Sequence, residues 1–135
     1  VLRLGLRKTS LVDYPGRVAA VLFTAGCNFR CPYCQNPGLV VPEADAGGFF
    51  SMDEVLAFLD GRRGLASAVV ISGGEPTLHP ELPALAASIR SMGFLVKVDT
   101  NGSCPERLGP IEADYYAMDL KTDPERYAEL WPASP

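Results

Sequence analysis

"VAAVLFTAGCNFRCPYCQNP", residues 18–37, joins a short apolar run to three cysteines within eight positions. The run 18–24 is bounded by Gly16 and Gly26 and shows no polar alternation. That profile predicts a strand buried on both faces. Such a strand needs neighbours in a sheet and helices to cover it, so the stretch points to an α/β fold with the thiols at a strand end.

The flanking sequence repeats the theme. "SMDEVLAFLDGRRG" (51–64) reads as a helix: Ser51 and Glu54 have capping-box spacing, Val55, Leu56 and Leu59 share a face, and Gly64 can end it. "SAVVIS" (67–72) reads as a second buried strand. "PELPALAASIRSMG" (80–93) reads as a second helix, with Pro80 at its first position and Leu82, Leu85, Ile89 and Met92 as its apolar stripe. "FLVKVDT" (94–100) is a third strand, a short helical turn is expected from Pro105, and "DYYAMDL" (114–120) is a fourth strand. Asp123 and Pro124 offer the cap and first position of a last helix. The leading "RLGLRKTSLVDYPGR" (3–17) is expected to form an edge strand or hairpin with its turn near "DYPG". Alternating strands and helices imply right-handed crossovers and a parallel sheet, either an open partial barrel or a flatter doubly wound sheet.

The chain has 135 residues, about one domain, and its 47% hydrophobic content can support a core. A formal net charge of −4 and a pI near 4.9 argue against nucleic acid or an anionic membrane as the main partner. No apolar run reaches the roughly 18 residues that span a bilayer, and "VLRLGLRKTS" lacks the apolar centre of a secretory signal. The expected setting is the reducing cytoplasm, where clustered cysteines hold metal or do redox chemistry.

In parallel α/β folds, ligands gather at the carboxyl ends of the strands. The four predicted strands lead into "GCNFRCPYC", "GGEPT" (73–77), "DTNG" (99–102) and "MDLKT" (118–122). Each carries polar, glycine-rich or metal-capable residues, and all should converge on one mouth. Cys27, Cys31 and Cys34 have the spacing C-x3-C-x2-C. Three thiolates on a four-iron cube leave one iron open, which is what catalysis at a metal needs. A zinc site completed by Cys104 or His79 is the competing reading. Gly73 and Gly74 let the backbone approach a ligand, and Glu75 adds a negative charge there. His79 is expected to cap a helix, Cys104 to be a bystander, and "GRRG" (61–64) to be a solvated helix end.

The cysteine spacing, with aromatic Tyr33 before the last cysteine, resembles the signature of the radical S-adenosylmethionine (SAM) superfamily. The resemblance implies a 4Fe-4S cluster on Cys27, Cys31 and Cys34 whose open iron binds the amino nitrogen and carboxylate of SAM. "SGGEPT" is similar to the family's glycine-rich segment, which gives Ser72, Gly73, Gly74 and Glu75 the methionine end of SAM. Tyr33, Gln35 and Asn36 fall on the cofactor side; many relatives have His-Asn where this chain has Gln35-Asn36.

"TSLVDYPGR" (9–17), "CQNP", "DTNG" and "MDLK" together resemble the glycyl-radical-enzyme activating enzymes, above all those acting on anaerobic ribonucleoside-triphosphate reductase. That likeness implies a monovalent cation held by Asp99, Thr100, the Ala117 carbonyl and Asp119. It also implies SAM contacts from Asp119, Lys121 and Asn101, and a substrate-facing Asp13. The implied partners are a glycyl radical enzyme and a flavodoxin or ferredoxin as electron donor. An alternative is a radical SAM enzyme acting on a small molecule, similar to the deazaguanine synthases. The implied fold is a partial (β/α) barrel of the radical SAM type, a single domain over 1–135 that stops after about four βα units. Its expected N-terminal edge element covers 1–17.

Overall fold

The computed structural model describes residues 2–24 and 49–118. Within them the chain order is strand β1 (Leu4–Ser10), strand β2 (Ala19–Thr24), helix α1 (Met52–Asp60), strand β3 (Ala68–Gly73) and helix α2 (Leu82–Ser91). Strands β4 (Leu95–Thr100) and β5 (Tyr115–Met118) follow. Short 3-10 turns at Pro76–Leu78 and Pro105–Arg107 follow β3 and β4. The described strands form one sheet in the order β1-β2-β3-β4-β5. The pairs from β2 to β5 are all parallel, as the alternation of strands and helices requires.

β1 runs antiparallel to β2, with Leu4 opposite Thr24 and a register shift between Arg7 and Ser10. It is the expected edge element, and Phe50 covers part of its outer side: Leu4 N donates to Phe50 O at 2.9 Å and Phe50 N donates to Leu4 O at 2.8 Å. Capping an edge in this way removes groups that could template another strand.

The sheet has two unequal faces. On the helix-covered face, Leu4, Leu22, Val69, Ile71, Val96 and Val98 pack with Val55, Leu59, Leu82, Leu85 and Ile89 of the two helices. Full burial of each Leu or Ile stabilises the fold by about 1.5–3 kcal/mol relative to leaving it in water. On the opposite face, Ala19, Val21, Ala68 and Val70 form a smaller cluster edged by Tyr14, Phe23 and Leu95. The strands alternate between these two sets, which sorts every polar residue at their ends onto one face or the other.

The helices form where the capping signals place them, with shifted ends. Ser51 and Glu54 make the reciprocal capping box. α1 stops at Asp60 and not near Gly64, because Gly61 already turns its N–H back onto Leu59 O. α2 begins at Leu82, with Pro83 and not Pro80 in its first turn. Pro80 lies in the preceding turn, closed by Leu82 N donating to His79 O at 3.1 Å. His79 ends the 3-10 turn, its N–H on Pro76 O, and does not cap the start of α2, whose N-cap is Glu81. Arg62 is more than a solvated charge: it donates to Lys8 O at 3.1 Å and Thr9 Oγ1 at 2.6 Å, tying the end of α1 to β1. Residues 119 and 120, the last two of the predicted fourth strand, and the helix predicted from Asp123 lie outside the described residues.

Candidate active site

The carboxyl ends of β2 and β3 are locked together backbone to backbone. Gly73 has φ +113°, and a Cβ there would lie 2.3 Å from Thr24 N and 2.6 Å from Thr24 O. The glycine is therefore required by the neighbouring strand itself, a different reason from the ligand approach that the sequence suggests. Gly74 N donates to Thr24 O at 2.9 Å, and Thr24 Oγ1 donates to Ser72 O at 3.2 Å. Thr24 is the last described residue before the cysteine loop. The glycine segment thus fixes the point from which that loop departs.

Glu75 is fully buried. Its Oε2 accepts from Thr77 N at 3.2 Å, from the Thr77 hydroxyl, and from Thr100 Oγ1 at 2.7 Å. Its Oε1 accepts from Asn101 N at 2.8 Å. A buried carboxylate is tolerable only with such donors. The negative charge expected to face a ligand is thus turned into the protein, where it staples the "GGEPT" loop to the "DTNG" loop. Arg107 adds a second tie, donating to Thr77 O at 2.9 Å. Thr100 Oγ1 also accepts from Gly102 N, and Asn101 Oδ1 accepts from Ser103 N, which shape the turn after β4.

Asp99 lies on the other face of β4. Alternation puts Val96, Val98 and Thr100 toward the helices and Lys97 and Asp99 toward the small inner cluster. Lys97 Nζ stands 3.3 Å from Asp99 Oδ1, donates to Asp13 O at 2.6 Å, and sits 5.7 Å from the centre of the Tyr115 ring. Tyr14 packs near the same ring. Ala117 is paired in register with Asp99. Asp13 accepts from the Ser10 hydroxyl and lies 4.0 Å from Arg7.

The structure therefore joins Glu75, Thr100 and Asn101 into one network. It brings Asp99 and Ala117 side by side and links Asp13 to Asp99 through Lys97. It does not bring the Thr100 hydroxyl to Asp99. Cys27, Cys31, Cys34, Tyr33, Gln35, Asn36, Asp119 and Lys121 lie outside the described residues. Sequence reasoning passed over Lys97, Thr77 and Arg107. Lys97 carried a signal, being the one charge inside the otherwise apolar run "FLVKV". Thr77 stood inside the quoted "GGEPT" stretch, two residues from its partner Glu75, whereas Arg107 carried no signal, since its partner is a main-chain oxygen 30 residues away.

Residues 21–134 match the Radical SAM superfamily. The chain belongs to the radical SAM superfamily. It is 38% identical over 131 residues to a Methanocaldococcus jannaschii protein named provisionally as a glycyl-radical enzyme activating enzyme, covering 93% of this chain and 52% of that one. It is 30% identical to the pyruvate formate-lyase-activating enzyme of Staphylococcus aureus, over 83% of this chain and 46% of that one. It is 35% identical to the 7-carboxy-7-deazaguanine synthase of Aquifex aeolicus, over 58% of this chain and 33% of that one. Among solved structures, QueE from Escherichia coli has the same fold, with a TM-score of 0.62, 23% identity, and coverage of 92% of this chain and 60% of that one. The chain thus spans about half the length of the first of these curated relatives, and less of the others.

Radical SAM proteins use a 4Fe-4S cluster and SAM. The donors of this chain fit that group: three cysteines with the spacing C-x3-C-x2-C follow β2 in sequence, and the glycine segment after β3 is held backbone to backbone against Thr24, the last described residue of β2. Among the described residues, no other cluster of three His, Cys, Asp or Glu side chains could hold a metal. Among them, too, no helix is long and apolar enough to cross a membrane.

Proposed function

We propose that the chain is the SAM-cleaving part of a cytoplasmic glycyl-radical-enzyme activating enzyme. The observation that carries this reading is the match over 93% of the chain to a relative bearing that name. The convergence of the "GGEPT", "DTNG" and β5 segments on one sheet end supports it. With both groups bound, the reduced cluster would supply one electron to the sulfonium of SAM, breaking the S–C5′ bond to give methionine and a hydrogen-abstracting 5′-deoxyadenosyl radical.

The chain's own residues do the holding. Cys27, Cys31 and Cys34 carry the cluster. The segment Ser72–Gly74 receives the methionine end of SAM through main-chain atoms, since Glu75 is fully buried with its carboxylate turned to Thr77, Thr100 and Asn101. Asn101, Asp119 and Lys121 complete the cofactor side, with Tyr33, Gln35 and Asn36 near the cluster. Asp13, on the turn after β1, faces the incoming glycine segment of the partner. The partner is an anaerobic ribonucleoside-triphosphate reductase, and the electron comes from a flavodoxin or ferredoxin. No general base is needed, because the backbone Cα–H bond of the substrate would break homolytically, its hydrogen atom passing whole to the 5′-deoxyadenosyl radical to give 5′-deoxyadenosine.

A second reading has support of its own: the 35% identity to a 7-carboxy-7-deazaguanine synthase favours a small-molecule substrate. One experiment separates the two. The full-length protein is co-expressed anaerobically with the reductase, and the reductase is examined by electron paramagnetic resonance. A glycyl-radical doublet that depends on Cys31 is expected. Its absence, with SAM cleavage that yields a 7-deazaguanine product from a small-molecule precursor, would favour the second reading.

A further inference from the structure

We propose that the Lys97 ammonium is the resident positive charge at Asp99, so that this chain receives SAM without the monovalent cation implied by the activating-enzyme likeness. The inference rests on the radical SAM reading above. It starts from the charge already standing at the carboxylate that the implied cation would use: Asp99 Oδ1 has an ammonium 3.3 Å away.

That ammonium is held firmly. The Lys97 side chain is only 13% exposed. It is tied to the Asp13 carbonyl at 2.6 Å and lies against the Tyr115 ring. A carboxylate, a carbonyl and an aromatic face together offset the loss of water from a largely buried ammonium. A metal ion added on Asp99 would meet a like charge at close range in a partly buried site, where repulsion is poorly screened. The ammonium therefore does the work of the ion: it balances the charge of Asp99 at the end of β4. Because the same Nζ grips Asp13 O, it also ties the turn after β1 to that end of the sheet, which an ion held only by "DTNG" and β5 oxygens does not do.

The test uses the full-length, cluster-loaded protein. SAM affinity and the thermal midpoint are measured with KCl and with choline chloride at equal ionic strength. For the wild type, exchanging the salts is expected to change SAM affinity by less than about twofold and to leave the midpoint unmoved. Lys97→Met in choline should bind SAM about tenfold more weakly, and potassium should restore affinity and raise the midpoint. Lys97→Arg should keep the wild type's indifference to salt. A wild type that loses about tenfold in SAM affinity without potassium overturns the inference and leaves the radical SAM reading standing. So does a Lys97→Met protein indifferent to potassium. If the wild type binds no SAM in either salt, it is the functional reading that fails. The midpoints then still decide whether Lys97 occupies the place of an ion. If Lys97→Met does not fold, the salt response of the wild type alone is decisive.

Discussion

Glu75 is fully buried and accepts four hydrogen bonds from two loops, so its removal strands four donors at once. Glu75→Ala should destabilise the protein by about 3 kcal/mol, read as a lower urea midpoint with an unchanged slope. Glu75→Gln should recover only part of this, because its amide group turns donors toward donors. Gly73→Ala should be worse, since its Cβ would overlap the Thr24 backbone and the residue has positive φ. A loss above about 3 kcal/mol, or failure to accumulate, is expected. Gly64→Ala, with φ +83° but nothing within 4 Å, should cost only about 1 kcal/mol in the same assay. At this scale the sequence marks which residues matter better than it explains them. Gly73 and Glu75 stand out as a motif, but whether a glycine yields to a ligand or to a neighbouring strand depends on which backbone lies beside it. Lys97 becomes legible only once β4 is known to turn it onto the face of Asp99.

Helices and strands were the most readable parts, and the physical reasons are local. The apolar runs 18–24, 67–72 and 94–100 lie within a residue of β2, β3 and β4, because short Val-, Leu- and Ile-rich segments bounded by turn residues suit a sheet covered on both sides, even with Lys97 inside the third. The capping box of α1 was visible as Ser51 and Glu54, and Ser51→Ala should lower stability by about 1 kcal/mol, measurable by chemical denaturation. The helix ends were less legible. Pro80 and Pro83 both suit a first turn, and the choice fell to Pro83 because the 3-10 turn at Pro76–Leu78 uses the intervening residues to cross the end of the sheet. Gly61 pre-empted Gly64 for a similar reason: Arg62 turns back to β1, which the sequence of α1 does not reveal.

At the scale of the whole molecule, the described strands form a sheet of five, four of them parallel with their carboxyl ends on one side, and the cysteines follow in sequence the strand that the glycine segment clamps. The parallel order could be read from the alternation of elements, and the antiparallel β1 from the turn residues before β2. The chain spans about half the length or less of its curated relatives. Cys104 is half-buried beside the Ser103 hydroxyl, after β4. Cys104→Ala should therefore keep the brown colour and the iron content, whereas Cys31→Ala should lose both. A closed zinc site completed by Cys104 predicts instead a colourless, iron-free protein whose zinc is lost in Cys104→Ala. The most direct measurement is made on the full-length protein, reconstituted anaerobically with iron and sulfide, reduced, and mixed with SAM. The account predicts 5′-deoxyadenosine and methionine from the wild type and none from Cys31→Ala. A fully cluster-loaded, reduced protein that leaves SAM intact would contradict it.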